Sequence, residues 1–197
     1  MNNKIDMYFD VGSPASYLAW TQIPAIAKRT GAQVNWQPML LGGVFSSIGN
    51  QSPATIPAKG RYMLTDLSRY AKDYSVEFNF NPFFPINTLT LMRGAVAYLD
   101  TPQFDDYLKC IFKGLWVQKN DMSDPEVVAK ILTTNGIDPQ DFDQRIQLPE
   151  VKSKLKDITE AAISRGVFGA PTMFVNNEMF FGQDRLVQVE KALTATH

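Results

Sequence analysis

Histidine and cysteine are the scarcest residues with catalytic side chains in this 197-residue chain, which contains one of each. The histidine, His197, is the last residue, where chains usually fray, so we expect no Ser-His-Asp triad, no Cys-His pair and no bound metal. The cysteine, Cys110, cannot form an internal disulfide or a Cys-x-x-Cys pair. It lies beside Leu108, Ile111 and Phe112 in an apolar pattern of helical period, which favours a buried small hydrophobe over a reactive thiol.

An excess of positive charge is also missing, because 19 Lys and Arg stand against 20 Asp and Glu. Without a basic surface we expect neither nucleic acid nor a membrane as a partner. No apolar run approaches the roughly 18 residues of a membrane span, and the N-terminal MNNKIDMYFD lacks an apolar targeting segment. The sequence therefore predicts a globular cytoplasmic protein, whose 45% hydrophobic and 12% aromatic residues suffice for a packed core.

The first forty residues have the pattern of a β-α-β unit. Alternating apolar and polar side chains predict a strand over residues 4–10. Ser13 and Pro14 then fit the N-cap and first position of a helix over 15–29, and a second strand is expected over 33–40. Such a unit builds parallel sheet through a right-handed crossover.

A loop is expected over residues 41–57, which are rich in Gly, Ser, Asn and Pro, and a long helical block follows it. Three of its helices follow an Asp-Pro or Thr-Pro pair, in which Thr101, Asp124 or Asp138 is the predicted N-cap. The expected helices span residues 57–74, 87–99, 102–118, 125–134, 139–147 and 150–165.

The C-terminal segment has the pattern of two strands and a helix. A hairpin is expected over 171–181 with its turn at Asn176-Asn177, followed by a helix over 184–195. The order β-α-β, helical block, β-β-α predicts an α/β thioredoxin-like fold with an inserted all-helical domain. We expect a thioredoxin-like domain over 1–55 and 166–197, and a helical domain over 56–165.

Five segments carry a resemblance to a known family, and they keep its order and spacing over nearly the whole chain. The segments are FDVGSPASYLAW at 9–20, PMLLGGVF at 38–45, GNQSPATIPAKGRYM at 49–63, GVFGAPTMFV at 166–175 and FFGQDRL at 180–186. With them the sequence resembles the 2-hydroxychromene-2-carboxylate isomerases, relatives of the kappa-class glutathione transferases in the DsbA-like thioredoxin superfamily. The resemblance implies glutathione as cofactor, a small aromatic carboxylate as substrate and a possible homodimer.

Ser13 stands where thiol oxidoreductases of this superfamily carry the first cysteine of Cys-x-x-Cys, so dithiol exchange is excluded. The resemblance implies that its hydroxyl holds the thiolate of glutathione. Lowering a thiol pKa by roughly 2 units requires about 2.7 kcal/mol. A hydroxyl donor contributes roughly 1.5–3 kcal/mol to a thiolate and a helix N-terminus roughly 0.3–1 more, which is sufficient. From the residues alone, Ser13 is an ordinary N-cap.

The resemblance implies that two further segments bind glutathione. Base rates favour a trans bond before Pro171, but the resemblance implies a cis bond that presents the backbone of Ala170 to the cysteinyl part of glutathione. Gln183 and Asp184 would hold the γ-glutamyl end near a helix N-terminus. Without the resemblance, Pro171 only starts a strand and Asp184 only caps a helix.

The loop and helix after the second strand supply two more implied site residues, Asn50 and Lys59. Lys59 would bind a carboxylate of glutathione or substrate. Asn50 would contact the substrate or the negative charge developing on its oxygen. On their own chemistry, Asn50 is a turn residue and Lys59 a solvated charge.

Aromatic residues near these positions are candidates for the wall of a flat apolar pocket between the two domains. They are Phe45, Tyr62, Phe83, Phe84 and Phe168.

Together these expectations indicate a glutathione-dependent cis-trans isomerase, with Ser13, Asn50 and Lys59 as catalytic residues. Two alternatives remain at this stage: a kappa-like glutathione transferase that releases conjugates, and a redox-inactive thioredoxin-like module that binds peptides or proteins.

Overall fold

A computed structural model of the protein describes residues 3–195, and the prediction for His197, that it frays and serves no catalytic or metal site, lies outside them. A four-stranded mixed sheet forms its centre. The strands are β1 (Lys4–Phe9), β2 (Gln33–Pro38), β3 (Thr172–Val175) and β4 (Glu178–Phe181). Their order is β2-β1-β3-β4. β1 pairs in parallel with β2 and antiparallel with β3, and β4 closes the sheet antiparallel to β3.

The N-terminal β-α-β unit forms as the sequence predicts. Helix α1 (Pro14–Thr30) begins after Ser13, whose hydroxyl accepts the Ser16 N–H, and ends at Gly31. Gly31 has a φ of 67°, a left-handed conformation that glycine adopts without a steric penalty. The C-terminal hairpin turns at Asn176 and Asn177, both with positive φ, as two-residue hairpin turns require.

The loop prediction for residues 41–57 is wrong in its first half, which forms helix α2 (Leu41–Ile48). Its glycines suggested a loop, but long-range contacts determine the conformation of this segment. The Leu40 N–H bonds to Thr159 Oγ1 at 3.0 Å and the Leu41 N–H bonds to Asp10 Oδ2 at 2.8 Å. Val44, fully buried, packs in a second apolar cluster against residues of the last long helix of the block.

The helical block follows the predicted order of helices. Asp124 and Asp138 are confirmed as N-caps, each accepting a backbone N–H at 2.9 Å. The prediction for Thr101 is wrong: its hydroxyl donates to the carbonyl of Tyr98 in a turn that precedes the next helix. The helices are α3 (Pro57–Asp73), α4 (Leu89–Tyr98), α5 (Phe104–Trp116), α6 (Pro125–Thr134), α7 (Pro139–Arg145), α8 (Pro149–Ser164) and, after the hairpin, α9 (Leu186–Thr194).

One apolar cluster joins the sheet, α1, α9 and much of the helical block. Trp116, Tyr98 and Tyr107 are among its largest fully buried side chains. Cys110 is confirmed as buried, and burial raises the pKa of its thiol to about 12. None of the helices within residues 3–195 is long and apolar enough to cross a membrane.

On the other face of the sheet, Arg165 fixes the end of α8 to β1. Its guanidinium bonds to Asp6 at 2.9 Å and stacks 3.8 Å from the ring centroid of Phe174. Burial alone would raise the pKa of Asp6, but the hydrogen bonds from its amide and cationic neighbours outweigh this and lower it. The ion pair therefore stabilises the charged form of the carboxyl.

Candidate functional site

Ser13 lies where the carboxyl end of β1 meets the N-terminus of α1. Its Oγ accepts the Ser16 N–H at 3.1 Å and donates to the carbonyl of Ala170 at 2.9 Å. Only 5% of the residue is exposed, yet it lines a cleft. Because the α1 N-terminus carries a partial positive charge, a hydroxyl here can stabilise an anionic sulfur or oxygen.

The turn that leads to Ser13 is held by the helical block. The indole Nε1–H of Trp116 donates to the carbonyl of Val11 at 2.8 Å, and the Val11 N–H lies 3.3 Å from the sulfur of Met92. Gly12 approaches α4 so closely that a Cβ on it would lie 2.6 Å from Thr88 Cγ2. The inserted helices thus fix the backbone that positions the Ser13 hydroxyl.

Asp10 precedes this turn, and sequence reasoning missed it as a site residue. The side chain is 1% exposed, and its carboxyl accepts two backbone N–H groups and one hydroxyl, from Gly12, Leu41 and Thr88. Burial raises the pKa of Asp10, and the three donors oppose that rise only in part. A charged residue placed directly between an apolar strand and Val11-Gly12-Ser13 was the available sequence signal.

The Ala170-Pro171 peptide bond is cis, and it brings Ala170 beside Ser13. Because the Ala170 carbonyl already accepts the Ser13 hydroxyl, a ligand would have to share or displace that bond. The Gly182 N–H donates to the Pro171 carbonyl at 2.9 Å, which places the next predicted residues at the same edge. Pro171 itself is buried, and the cleft is lined by Ala170 rather than by the proline.

Gln183 and Asp184 belong to a short 3-10 turn over Gln183–Arg185 that precedes α9. Gln183 is 8% exposed, and its carbonyl accepts the hydroxyl of Tyr74. Asp184 forms an ion pair with Arg185 at 2.8 Å. Arg185 occupies the N-cap position of α9, where no side chain makes a capping bond. Gln183 and Asp184 line the cleft beside Ala170, so this edge offers the Asp184 carboxylate to a cationic group of a ligand.

Asn50 and Lys59 reach the cleft from its opposite side. Asn50 follows the αL residue Gly49 at the end of α2, and its side-chain amide donates to the carbonyl of Phe168 at 3.2 Å. Lys59 is exposed in the first turn of α3. No carboxylate in the described chain lies within ion-pair distance of its amine, which can therefore receive an anionic ligand.

Four of the five predicted aromatic residues line this cleft of about 1230 Å³. The exception is Phe83, which is 48% exposed and lies outside the lining, whereas its neighbour Phe84 is half-buried against Trp116. Sequence reasoning missed Phe181, whose ring lies 4.6 Å from that of Phe168. Alternation along β4 was the available signal, because Phe180 is buried and Phe181 must then face away. The four predicted aromatic residues that line the cleft are Phe45, Tyr62, Phe84 and Phe168.

The cleft brings most of the predicted site residues together, all except Phe83 and Pro171. No group of three or more His, Cys, Asp or Glu side chains within residues 3–195 could hold a metal ion. The chemical groups present are a hydroxyl at a helix N-terminus, an amide, an amine, a paired carboxylate and a wall of aromatic rings. Such a set can bind a zwitterionic peptide and an aromatic anion side by side.

Known proteins match this chain over nearly its whole length. Residues 4–194 match the protein family described as "DSBA-like thioredoxin domain". A 2-hydroxychromene-2-carboxylate isomerase of Pseudomonas sp. (strain C18) is 32% identical, and the match covers 96% of this chain and 89% of the relative. The glutathione S-transferase kappa 1 of Homo sapiens is 26% identical, with 92% and 87% covered.

A solved structure of a 2-hydroxychromene-2-carboxylate isomerase superposes with a TM-score of 0.85 at 29% identity, covering 96% of this chain and 94% of the solved one. The predicted thioredoxin-like fold with its inserted helices is thereby confirmed. The chain belongs to the DSBA-like thioredoxin family and, within it, to the 2-hydroxychromene-2-carboxylate isomerase family.

Proposed function

We propose that this protein is a glutathione-dependent isomerase that interconverts 2-hydroxychromene-2-carboxylate and trans-o-hydroxybenzylidenepyruvate. The observation that carries the proposal is the Ser13 hydroxyl, held at the N-terminus of α1 beside Ala170 and open to a large cleft. The named activity of relatives about 30% identical over nearly the whole chain supports the choice of reaction.

The cleft fits glutathione in size and in chemistry. Its volume of about 1230 Å³ exceeds that of most small-ligand pockets, roughly 300–1000 Å³, and leaves room for a second molecule. Ser13 would hold the sulfur, the backbone of Ala170 the cysteinyl part, and Asp184 the α-ammonium group. Lys59 would pair with a carboxylate. The ring of the chromene first opens to the keto acid, as its C2–O bond breaks and the hydroxyl proton moves to the phenol oxygen. When bound, glutathione supplies a thiolate that adds reversibly to the electron-poor double bond of that keto acid, so that the bond rotates while single and elimination restores both the double bond and the thiolate.

The protein's own groups position the reactants and stabilise charge. In this proposal the Ser13 O–H turns from the Ala170 carbonyl toward the anionic sulfur, while the Ser16 N–H keeps the oxygen in place. Asn50 and Lys59 face the negative charge that develops on the keto oxygen of the substrate. Phe45, Phe168 and neighbouring rings flank the aromatic part of the substrate and exclude water around it.

The test is an assay of isomer interconversion with and without glutathione. We expect catalysis only in its presence, and a constant concentration of free thiol throughout the reaction. Absence of catalysis at saturating glutathione and enzyme would refute the proposal. The isomer ratio is followed by absorbance or by nuclear magnetic resonance, with heat-inactivated protein as the blank.

A kappa-like transferase is the second candidate, and the matches to kappa-class transferases favour it. It requires the same glutathione site but releases a conjugate, so free thiol falls as product forms. A redox-inactive binding module requires no such site. Calorimetry with free glutathione separates it from both enzymes, since only they should bind the tripeptide in the micromolar range.

A further inference from the structure

The buried carboxyl of Asp10 joins three segments that meet at the cleft. Oδ1 accepts the Gly12 N–H at 2.8 Å, while Oδ2 accepts the Leu41 N–H at 2.8 Å and the Thr88 hydroxyl at 3.0 Å. These donors belong to the turn before Ser13, to the first residue of α2 and to the residue before α4. None of the roles proposed above uses this group.

Helix α2 depends on few other interactions. It has no side-chain N-cap, and Val44 is its only fully buried residue. Besides the bond to Asp10, its N-terminal end is held by the Leu40 N–H, which donates to Thr159, and by the Met39 N–H, which donates to the Phe9 carbonyl. An eight-residue helix with so little buried surface is not stable by itself, so its anchors determine its position.

Two cleft residues depend on where α2 lies. Phe45 is part of the helix and lines the cleft, and Asn50 directly follows its C-cap. Asn50 in turn contacts the carbonyl of Phe168 on the facing wall. A shift of α2 would therefore displace an aromatic ring and an amide together.

The opposite side of the cleft is held by different bonds. Ser13 bonds to Ala170, the Gly182 N–H bonds to the Pro171 carbonyl, and the Tyr74 hydroxyl bonds to the Gln183 carbonyl. None of these bonds involves the Asp10 carboxyl. Its contact with α2 thus serves one wall only.

We propose that Asp10 is a positioning residue that holds α2 in place through the Leu41 N–H and so fixes Phe45 and Asn50 on the substrate side of the cleft. The assignment of that side to the substrate rests on the proposed function. The anchoring of α2 does not, and the two parts are tested separately.

The first test is hydrogen exchange of the α2 amides in the free protein. Leu41→Pro removes the donor of the α2 bond and leaves the Asp10 carboxyl bonded to Gly12 and Thr88. Proline is tolerated at the first helical position, and Leu40 already has the extended backbone that a following proline requires. Compared with Leu41→Ala, which keeps the N–H and controls for the lost side chain, we expect exchange over residues 42–48 to rise about tenfold or more. Leu132→Ala, a cavity variant in α6, controls for general destabilisation and should not raise exchange in α2 selectively.

A reciprocal variant keeps the test valid if Leu41→Pro fails to fold. Asp10→Ala removes the acceptor of the same bond, together with the acceptors for Gly12 and Thr88. Exchange of α2 that is equal in Leu41→Pro and Leu41→Ala, or that stays at the wild-type rate in Asp10→Ala, overturns the proposal.

The second test separates the two ligands. In Leu41→Pro, compared with Leu41→Ala, we expect the KM for the chromene carboxylate to rise about tenfold and kcat to fall, while the calorimetric Kd for glutathione stays within about twofold. Equal weakening of both ligands would contradict a role confined to α2. If the wild type binds no glutathione but the exchange results hold, the anchoring stands and the proposed function fails.

Discussion

Replacing Ser13 by alanine removes two hydrogen bonds of known partners, so its effect on stability can be worked out first. Loss of the cap on Ser16 costs about 1 kcal/mol. Loss of the bond to the Ala170 carbonyl costs about 1 kcal/mol more. We therefore expect the unfolding free energy to fall by about 2 kcal/mol and Tm by roughly 4–8 °C, with the fold retained.

The effect of Ser13→Ala on the pKa of the bound glutathione thiol is smaller than the strength of a charged hydrogen bond suggests. A hydroxyl donating to a thiolate contributes about 1.5–3 kcal/mol, but the Ser13 O–H must first leave the Ala170 carbonyl, at a cost of about 1 kcal/mol. The net contribution is about one pKa unit. Ser13→Ala should thus raise the thiol pKa of bound glutathione by about one unit and slow isomerisation near neutral pH about tenfold.

The assay is an ultraviolet titration of the thiolate of glutathione bound to each variant, combined with the pH profile of kcat. Ser16→Ala is the matched control: its buried hydroxyl has no hydrogen-bond partner in the described structure. It should leave the thiol pKa and the rate unchanged. An equal thiol pKa in wild type and Ser13→Ala would refute the reasoning.

Three further predictions concern the surrounding fold. Because its thiol pKa is about 12, native Cys110 should be alkylated at least about 100-fold more slowly than in the urea-unfolded chain, measured by mass spectrometry. Gly12→Ala should lower the unfolding free energy by about 1–3 kcal/mol through its clash with Thr88, whereas Gly42→Ala, which meets nothing within 4 Å, should not lower it in urea titrations. Asp6→Asn should lower the unfolding free energy. The difference from the wild type should be full above about pH 4 and disappear as pH falls through the lowered folded-state pKa of Asp6, as urea titrations at each pH would show.

Features encoded by neighbouring residues could be predicted from the sequence. Ser13 before Pro14 predicts the start of α1, and the alternation of β1 predicts its strand, because both depend on local geometry. The proposed site residues could be selected only through the family resemblance. Nothing in the local sequence around Asn50 or Lys59 distinguishes a side chain that binds a ligand from one that is only solvated.

Helix α2 shows why other features could not be predicted. Its glycines argue against a helix, and the groups that hold it, Asp10 and Thr159, are distant in sequence. The same applies to Phe83 and Phe84, adjacent residues of which only the second lines the cleft. Side-chain direction in an irregular loop depends on contacts across the fold, here the packing of Phe84 on Trp116.

The bond from the Trp116 indole to the Val11 carbonyl has a consequence for attempts to simplify this scaffold. A minimal version that joins the ends of the sheet domain and deletes residues 56–165 would keep Ser13. It would lose both Trp116 and Met92, which contact Val11 in the turn before Ser13. Grafting a foreign helical segment would succeed only if it returned a donor to that carbonyl. Transplanting the Ser-Pro-Ala-Ser tetrapeptide alone into another thioredoxin fold should accordingly transfer a sequence motif without its geometry.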